Sequence, residues 1–134
     1  MRKKNKRTIR PIAKLLTAKQ KADIVIALRM HLQMLLAGQY DVDYAYSLAG
    51  VFNLSGVLSH MYERNDLEQT FDLAQEIIVC LIREGRAPKG DEGQSLAEAF
   101  NVADAWITMQ NTVNLMRAVD YMDRELVKKD RLGV

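Results

Sequence analysis

The chain has 134 residues, 49% of them hydrophobic and 27% charged, a balance that predicts one folded domain and excludes a disordered chain. Its single cysteine, Cys80, excludes an intrachain disulfide and a cysteine-based zinc site. The longest apolar run, residues 77–82, is much shorter than the ~20 residues that a bilayer span needs. We therefore expect a cytoplasmic protein without a membrane segment.

Positive charge is concentrated at the start of the chain. The net charge is +2, but removing the first ten residues leaves 13 Lys and Arg against 17 Asp and Glu, or −4. The first acidic residue is Asp23. The bases of this segment, which we call the basic arm, are Arg2, Lys3, Lys4, Lys6, Arg7 and Arg10. The sequence thus predicts a basic arm on an acidic body.

The first 16 residues are expected to stand apart from the helical domain, which we assign to residues 17–134. Like charges repel within residues 1–10, which we expect to be disordered, and Pro11 stops a helix from running into it. Residues 11–16 carry apolar side chains and are interpreted as a strap laid on the body.

The first two predicted helices have clear end signals. Thr17 is a suitable N-cap for the first, and Gly38 is expected to end it. Asp41 or Asp43 can cap the second, which is expected to end near residues 64–65. Their apolar residues recur at helical spacing.

The remaining chain predicts two more helices. Asp66 and Gln69 have the spacing of a capping box, and Gly85 is expected to end the third helix. A loop over residues 85–93 then leads to one long last helix at about 95–129. We predict an all-α fold: a four-helix, mostly antiparallel bundle with a long C-terminal helix.

Two features of this fold stay open at the level of sequence. Polar residues at 110–114 interrupt the apolar pattern of the last helix, which is either continuous or broken there. Gly50 and Gly56 lie inside the second helix, where glycine costs ~1 kcal/mol relative to alanine. They suggest close approach of a neighbouring helix.

Residue patterns for catalysis or metal binding are weak. His31 and His60 fall on different helices, and the His60–Glu63 spacing lacks the second pair that a bundle metal site needs. Cys80 lies in an apolar run, as expected of an inert core thiol. Arg86 and Lys89 offer at most an anion contact in a flexible loop. We predict a protein that is not an enzyme and has no cofactor or metal.

The basic arm is the sharpest local feature. Its six bases can neutralise phosphates of nucleic acid or of a nucleoprotein. The alternatives are a solubilising tail, or an arm that pairs with an acidic protein surface, including the body of this same chain. Since no aromatic residue is interleaved with the bases, base stacking on the arm is not expected.

Aromatic side chains are the candidates for a protein interface. Tyr40, Tyr44 and Tyr46 lie close together near the start of the second helix, and Trp106 lies midway along the last predicted helix. Tyrosine and tryptophan are favoured at interface hot spots. For Trp106 a place in the core is the stronger interpretation, whereas core and interface are balanced for the tyrosines.

The N-terminus resembles a family of small helical proteins from phages and prophages of proteobacteria. The resemblance is carried by Met-Arg-Lys-Lys-Asn-Lys-Arg at residues 1–7 with Arg10-Pro11, and it extends to 27–32, 49–53 and the turn at 83–86. This chain departs from the family after Arg86, where Ala-Pro-Lys replaces a segment that usually contains an aromatic residue. The resemblance implies a mobile-element protein and implies no particular activity.

Three hypotheses follow. The first is a non-enzymatic phage or mobile-element protein that binds and modulates a host or phage protein or nucleoprotein complex, for example as an anti-defence inhibitor of a CRISPR-type nucleoprotein. The second is a regulator that binds nucleic acid directly through the arm. The third is a structural phage component, a homodimer built on the long last helix, whose apolar stripe is wider than one bundle seam needs.

Overall fold

Every helix follows from a run of residues with helical apolar spacing between identifiable ends. The computed structural model describes residues 18–131, with the side chains of residues 23–124. The basic arm, the strap at 11–16 and the predicted cap Thr17 lie outside these residues. All regular elements within them are helices, which confirms the all-α prediction: α1 (Ala18–Leu36), α2 (Val42–Met61), α3 (Asn65–Glu84), α4 (Asp91–Thr108) and α5 (Thr112–Arg131).

Predicted helix ends are confirmed where a local cap decides them. Gly38 and Gly85 follow α1 and α3 with φ of 90° and 63°, which glycine adopts without a Cβ penalty. Asp41 caps α2, since its carboxylate accepts a hydrogen bond from the Asp43 backbone N–H at 2.9 Å. The capping box predicted at Asp66 is wrong, because α3 begins at Asn65 with Arg64 as N-cap, so Asp66 lies inside the first turn, where its carboxylate accepts from the Arg64 guanidinium at 3.1 Å.

Of the two alternatives for the last predicted helix, continuous or broken, the structure has the broken one: the chain leaves the helix at residues 109–111 and gives α4 and α5. The Gln110 side-chain amide donates to the Trp106 carbonyl at 3.0 Å and so satisfies an acceptor left free by the helix end. The Asn111 carboxamide accepts from the Asn114 backbone N–H at 2.8 Å and caps α5. Residues 18–131 thus form five helices where the sequence predicts four, and this range contains no continuous helix over 95–129.

Helix α2 lies at the centre of the described fold and contacts each of the other four helices. Its sequence is the most apolar of the five helices, as expected for a helix with neighbours on several sides. Phe52 of α2, Phe71 of α3 and Phe100 of α4 are fully or almost fully buried in the core. The Phe52 and Phe71 rings stack with centroids 6.5 Å apart.

The two helix-interior glycines do not make the close contacts that we expected. A Cβ on Gly50 would meet nothing within 4 Å, and one on Gly56 would lie 3.9 Å from the Phe71 Cβ, an ordinary contact. The tight approach is at Gly93, whose added Cβ would lie 3.1 Å from Leu36 Cδ2. This contact places the end of α1 against the start of α4.

Candidate functional site: the groove between α3 and α4

An open groove of about 650 Å³ runs between α3 and α4. Helix α3 packs far more extensively against α2 than against α4, so its outer side is left partly uncovered. The groove is lined by Thr70, Leu73, Ala74, Glu76, Ile77 and Cys80 from α3 and by Glu92, Ser95, Glu98, Ala99 and Val102 from α4.

The floor of the groove is apolar. Two small buried side chains, Ala74 and Ala99, form part of the floor. Ile77 and Val102 are half-buried beside them. Leu73 is 61% exposed, an unusual position for a leucine that lines a cavity. Apolar surface of this kind, open to solvent and rimmed by polar groups, marks binding sites in soluble proteins.

The charged rim of the groove is acidic. Glu76 projects from α3 and Glu98 from α4, and both are exposed. Neither forms an ion pair with any residue that the structure describes; Glu98 accepts only a 3.4 Å hydrogen bond from Gln94. Two uncompensated carboxylates beside an apolar floor favour a ligand with both apolar and basic groups.

One end of the groove is closed by an ion-pair cluster around Arg86. Its Nη1 and Nη2 donate to the two carboxylate oxygens of Glu92 at 2.8 and 3.1 Å, and its Nε donates to Glu84 at 2.6 Å. The Arg86 hydrogen bond, followed by one from the Lys89 N–H, lowers the pKa of Glu92 to about 2. The hydrogen bond from Arg86 likewise lowers the pKa of Glu84.

Arg86 therefore serves the loop that joins α3 to α4 rather than an external anion. Its guanidinium is committed to two carboxylates, and the Lys89 backbone N–H donates to Glu92 at 3.0 Å. The anion contact that the sequence left as a minor alternative for Arg86 does not match this geometry. The bonds also hold the two ends of the loop together, so the groove has a fixed closed end.

Cys80 lies in the groove wall beside this cluster. It is half-buried, so the prediction of a buried core thiol is wrong. Its thiol donates to a Glu84 carboxylate oxygen at 3.2 Å, and this bond, with burial and the negative charge of Glu84 adding to it, raises the pKa of Cys80. The group at neutral pH is a protonated thiol, which is a weak nucleophile.

The predicted tyrosine cluster is divided between core and surface. Tyr40 and Tyr44 are half-buried, and the Tyr44 ring stacks on His31 with centroids 5.0 Å apart. Tyr46 is 59% exposed. Tyr46 alone of the three is largely available to a partner.

Trp106 belongs to the core, as the stronger interpretation held, with 7% of its surface exposed. The Tyr62 ring meets it edge-on at 6.0 Å, and the Arg64 guanidinium lies 5.7 Å from its ring centroid. Its indole Nε1 has no hydrogen-bond partner among the described residues. The interface role considered for Trp106 does not agree with this burial.

The two histidines remain apart. His60 Nδ1 lies 3.4 Å from a Glu68 carboxylate oxygen, whereas Glu63, the expected helical neighbour, lies beyond the helix end with φ of 55°. Within residues 18–131 no group of three or more His, Cys, Asp or Glu side chains is placed to hold a metal ion. None of the helices in this range is both long and apolar enough to cross a membrane.

Sequence reasoning missed the groove, although part of its signal is in α3. Leu73, Ile77 and Cys80 follow one another at spacings of four and three residues, a second apolar stripe beside the core stripe of Phe71, Ala74 and Ile78. One stripe packs on α2, and the second lines the groove. Comparison of the chain with family models, curated proteins and solved structures gives no match.

Proposed function

We propose that this chain is a non-enzymatic phage or mobile-element protein, acting in the bacterial cytoplasm, that binds and modulates a host or phage macromolecular complex. A defence nucleoprotein of the CRISPR type is the example that fits an anti-defence role. The resemblance of the basic arm to phage and prophage proteins supports the source. The groove between α3 and α4 is the surface that we assign to the partner.

The observation that carries the proposal is the pairing of an apolar floor with an unpaired acidic rim. Leu73, Ile77 and Val102 offer apolar surface along two helices, and Glu76 and Glu98 face outward beside it. An amphipathic helix binds such a groove with its apolar face, and basic side chains on its flanks meet the carboxylates. The partner segment is therefore an amphipathic, basic one.

The chemistry of the groove supports binding rather than catalysis. Its cysteine is held as a thiol by Glu84, and the carboxylates at the closed end are bound by Arg86. Groups committed in this way stabilise the loop and are poor acids, bases or nucleophiles at neutral pH.

The test is a matched pair of substitutions on α3. Leu73→Glu places a charge on the groove floor, whereas Val79→Glu places the same charge on another exposed apolar position of that helix, one that does not line the groove. Partners are recovered on wild-type and variant baits from the bacterial host, and the recovered protein is then purified and titrated directly.

We expect Leu73→Glu to weaken binding by at least about tenfold, or about 1.4 kcal/mol, and Val79→Glu to leave it unchanged. Circular dichroism checks that both variants remain folded. Equal affinity of the two variants, or equal loss in both, would contradict the groove as the binding surface.

Direct nucleic-acid binding through the basic arm is a second candidate. It is favoured by the concentration of six bases and no acid in residues 1–10. Duplex DNA, single-stranded DNA and RNA are titrated at low salt with the full chain and with a chain lacking residues 1–10. This candidate expects arm-dependent affinity whose logarithm falls with log salt by about 0.9 per neutralised phosphate in duplex DNA. Salt-insensitive or arm-independent binding would exclude it.

A further inference from the structure

We propose that the N-terminal segment, residues 1–16, docks in the α3–α4 groove of its own chain and competes there with the partner. The inference rests on the proposed function of the groove, and it identifies the segment that fills the groove before a partner binds. It makes the groove a regulated site, in which a partner must displace the chain's own basic segment.

The path of α1 brings this segment towards the end of the groove that is lined by Thr70 and Val102. Leu36, at the end of α1, lies against Gly93 near the start of α4. Arg29, two turns earlier, binds Asn101 at 3.2 Å and Asp104 at 3.0 Å. Helix α1 thus runs antiparallel to α4, and its N-terminus lies beyond the C-terminal part of α4.

The groove has the matching orientation. Its closed end is the Arg86 cluster beside Cys80 and Glu92, next to the loop that connects α3 to α4. Thr70 and Val102, ten residues away on the two helices, line the other end. The chain before Ala18 therefore starts on the side of Thr70 and Val102, away from the Arg86 cluster.

The length of chain before α1 is sufficient. Ala18 lies roughly 16 Å from Arg29 along the helix axis, and the groove is about 15 Å long from Glu92 to Val102. An extended chain covers ~3.3 Å per residue, so residues 1–17 can reach roughly 55 Å. This reach exceeds the sum of the two distances, roughly 16 Å back along α1 and about 15 Å along the groove.

The segment carries both kinds of side chain that the groove favours, apolar and basic. Four apolar side chains, Ile9, Ile12, Leu15 and Leu16, are available for the apolar floor. The six bases of the arm face a rim whose Glu76 and Glu98 have no basic partner among the described residues. Opposite charges on the two surfaces favour this occupant over an acidic or purely apolar one.

Cys80, the single cysteine, is a built-in probe because it lies in the groove wall. We measure its alkylation rate by N-ethylmaleimide in the full chain and in a chain lacking residues 1–16. Only the undocked fraction reacts, so a docked population of about 90% slows labelling about tenfold in the full chain. Equal rates in the two folded chains would overturn the inference.

A charge-reversal variant tests the contact without removing any residue. Glu76→Lys with Glu98→Lys should raise the labelling rate of the full chain several-fold, and Asp72→Lys, an exposed acid of α3 outside the groove, should not. In the chain lacking residues 1–16 the double variant should raise the rate less than in the full chain, because only the direct effect of the new charges on the thiol remains there. An equal increase in both backgrounds would show a direct field effect on the thiol and would overturn docking.

Protein concentration separates docking within one chain from docking between two copies. Protection by the chain's own segment is independent of concentration, whereas protection that grows with concentration would assign the segment to a second copy and overturn the inference. If docking within one chain is not found, the proposed function still stands provided that Leu73→Glu weakens partner binding. Loss of the proposed function would appear instead as equal partner binding by Leu73→Glu and Val79→Glu.

Discussion

Arg86 and Glu92 form a bidentate ion pair across the loop between α3 and α4, with nitrogen–oxygen distances of 2.8 and 3.1 Å. The pair is mostly shielded from solvent, since the two side chains are 22% and 26% exposed. It closes one end of the groove and sets the start of α4. The stability of this end of the fold should therefore depend on the charge of Glu92.

The first prediction concerns pH. Arg86→Met should lower the melting temperature at pH 7 by about 3 to 6 °C, because Glu84 and Glu92 lose their partner. The pKa of Glu92 is lowered in the fold from its ordinary 4.5 to about 2, so the stabilisation is complete above pH 4.5 and is lost as pH falls towards 2. The difference between wild type and variant should shrink over that range in thermal melts.

Arg83→Met is the matched control for this experiment. Arg83 is exposed near the end of the same helix and forms no ion pair with another described residue. Its loss should shift the melting temperature little and equally at each pH. A difference between wild type and Arg86→Met that stays constant down to pH 2 would contradict the ion-pair explanation.

The second prediction concerns the break between α4 and α5. Asn111→Ala removes the side-chain acceptor of the Asn114 N–H and should lower the free energy of unfolding by about 1 kcal/mol. Urea denaturation measures the loss, and amide exchange should accelerate in the first turn of α5. Asn53→Ala, an exposed position inside α2, is the control and should cost nothing. Unchanged exchange in α5 would argue against the cap.

The third prediction compares two glycines. Gly50→Ala should raise the free energy of unfolding by about 0.5 to 1 kcal/mol, because alanine favours the helix and nothing lies within 4 Å of the new methyl group. Gly93→Ala should gain less, because its Cβ would lie 3.1 Å from Leu36 Cδ2, which must move. Urea denaturation measures the free energy of unfolding of both variants. A larger increase for Gly93→Ala than for Gly50→Ala would be inconsistent with this packing.

The fourth prediction concerns the thiol in the groove. Glu84→Gln should lower the pKa of Cys80 towards its ordinary value, because the hydrogen bond to the carboxylate is the largest cause of the increase. The pH profile of alkylation should then move to lower pH, with faster labelling near pH 8. Glu63→Gln, an exposed acid outside the groove, should leave the profile in place. Identical profiles for all three proteins would exclude this role of Glu84.

The sequence alone determined the class of fold and several helix ends, because those depend on groups a few residues apart. Gly38, Asp41 and Gly85 act through backbone conformation and hydrogen bonds within their own turn, and their predicted roles agree with the structure. The core stripe of α3 was likewise predictable, since helical spacing places Phe71, Ala74 and Ile78 on one face. At Asp66 a local prediction failed, because α3 starts one residue earlier and Asp66 lies inside its first turn.

Only the tertiary structure decided the break at residues 109–111 and the existence of the groove. Polar residues at 110–114 are compatible with an exposed continuous helix and equally with a turn. In the structure Gln110 is buried and its side chain donates to the Trp106 carbonyl at the end of α4. Leu73 and Cys80 have ordinary helical spacing, and they line a groove because α3 gives most of its contact surface to α2. Such features depend on which faces of distant segments meet. Spacing within one helix shows a second apolar stripe but does not show what covers it.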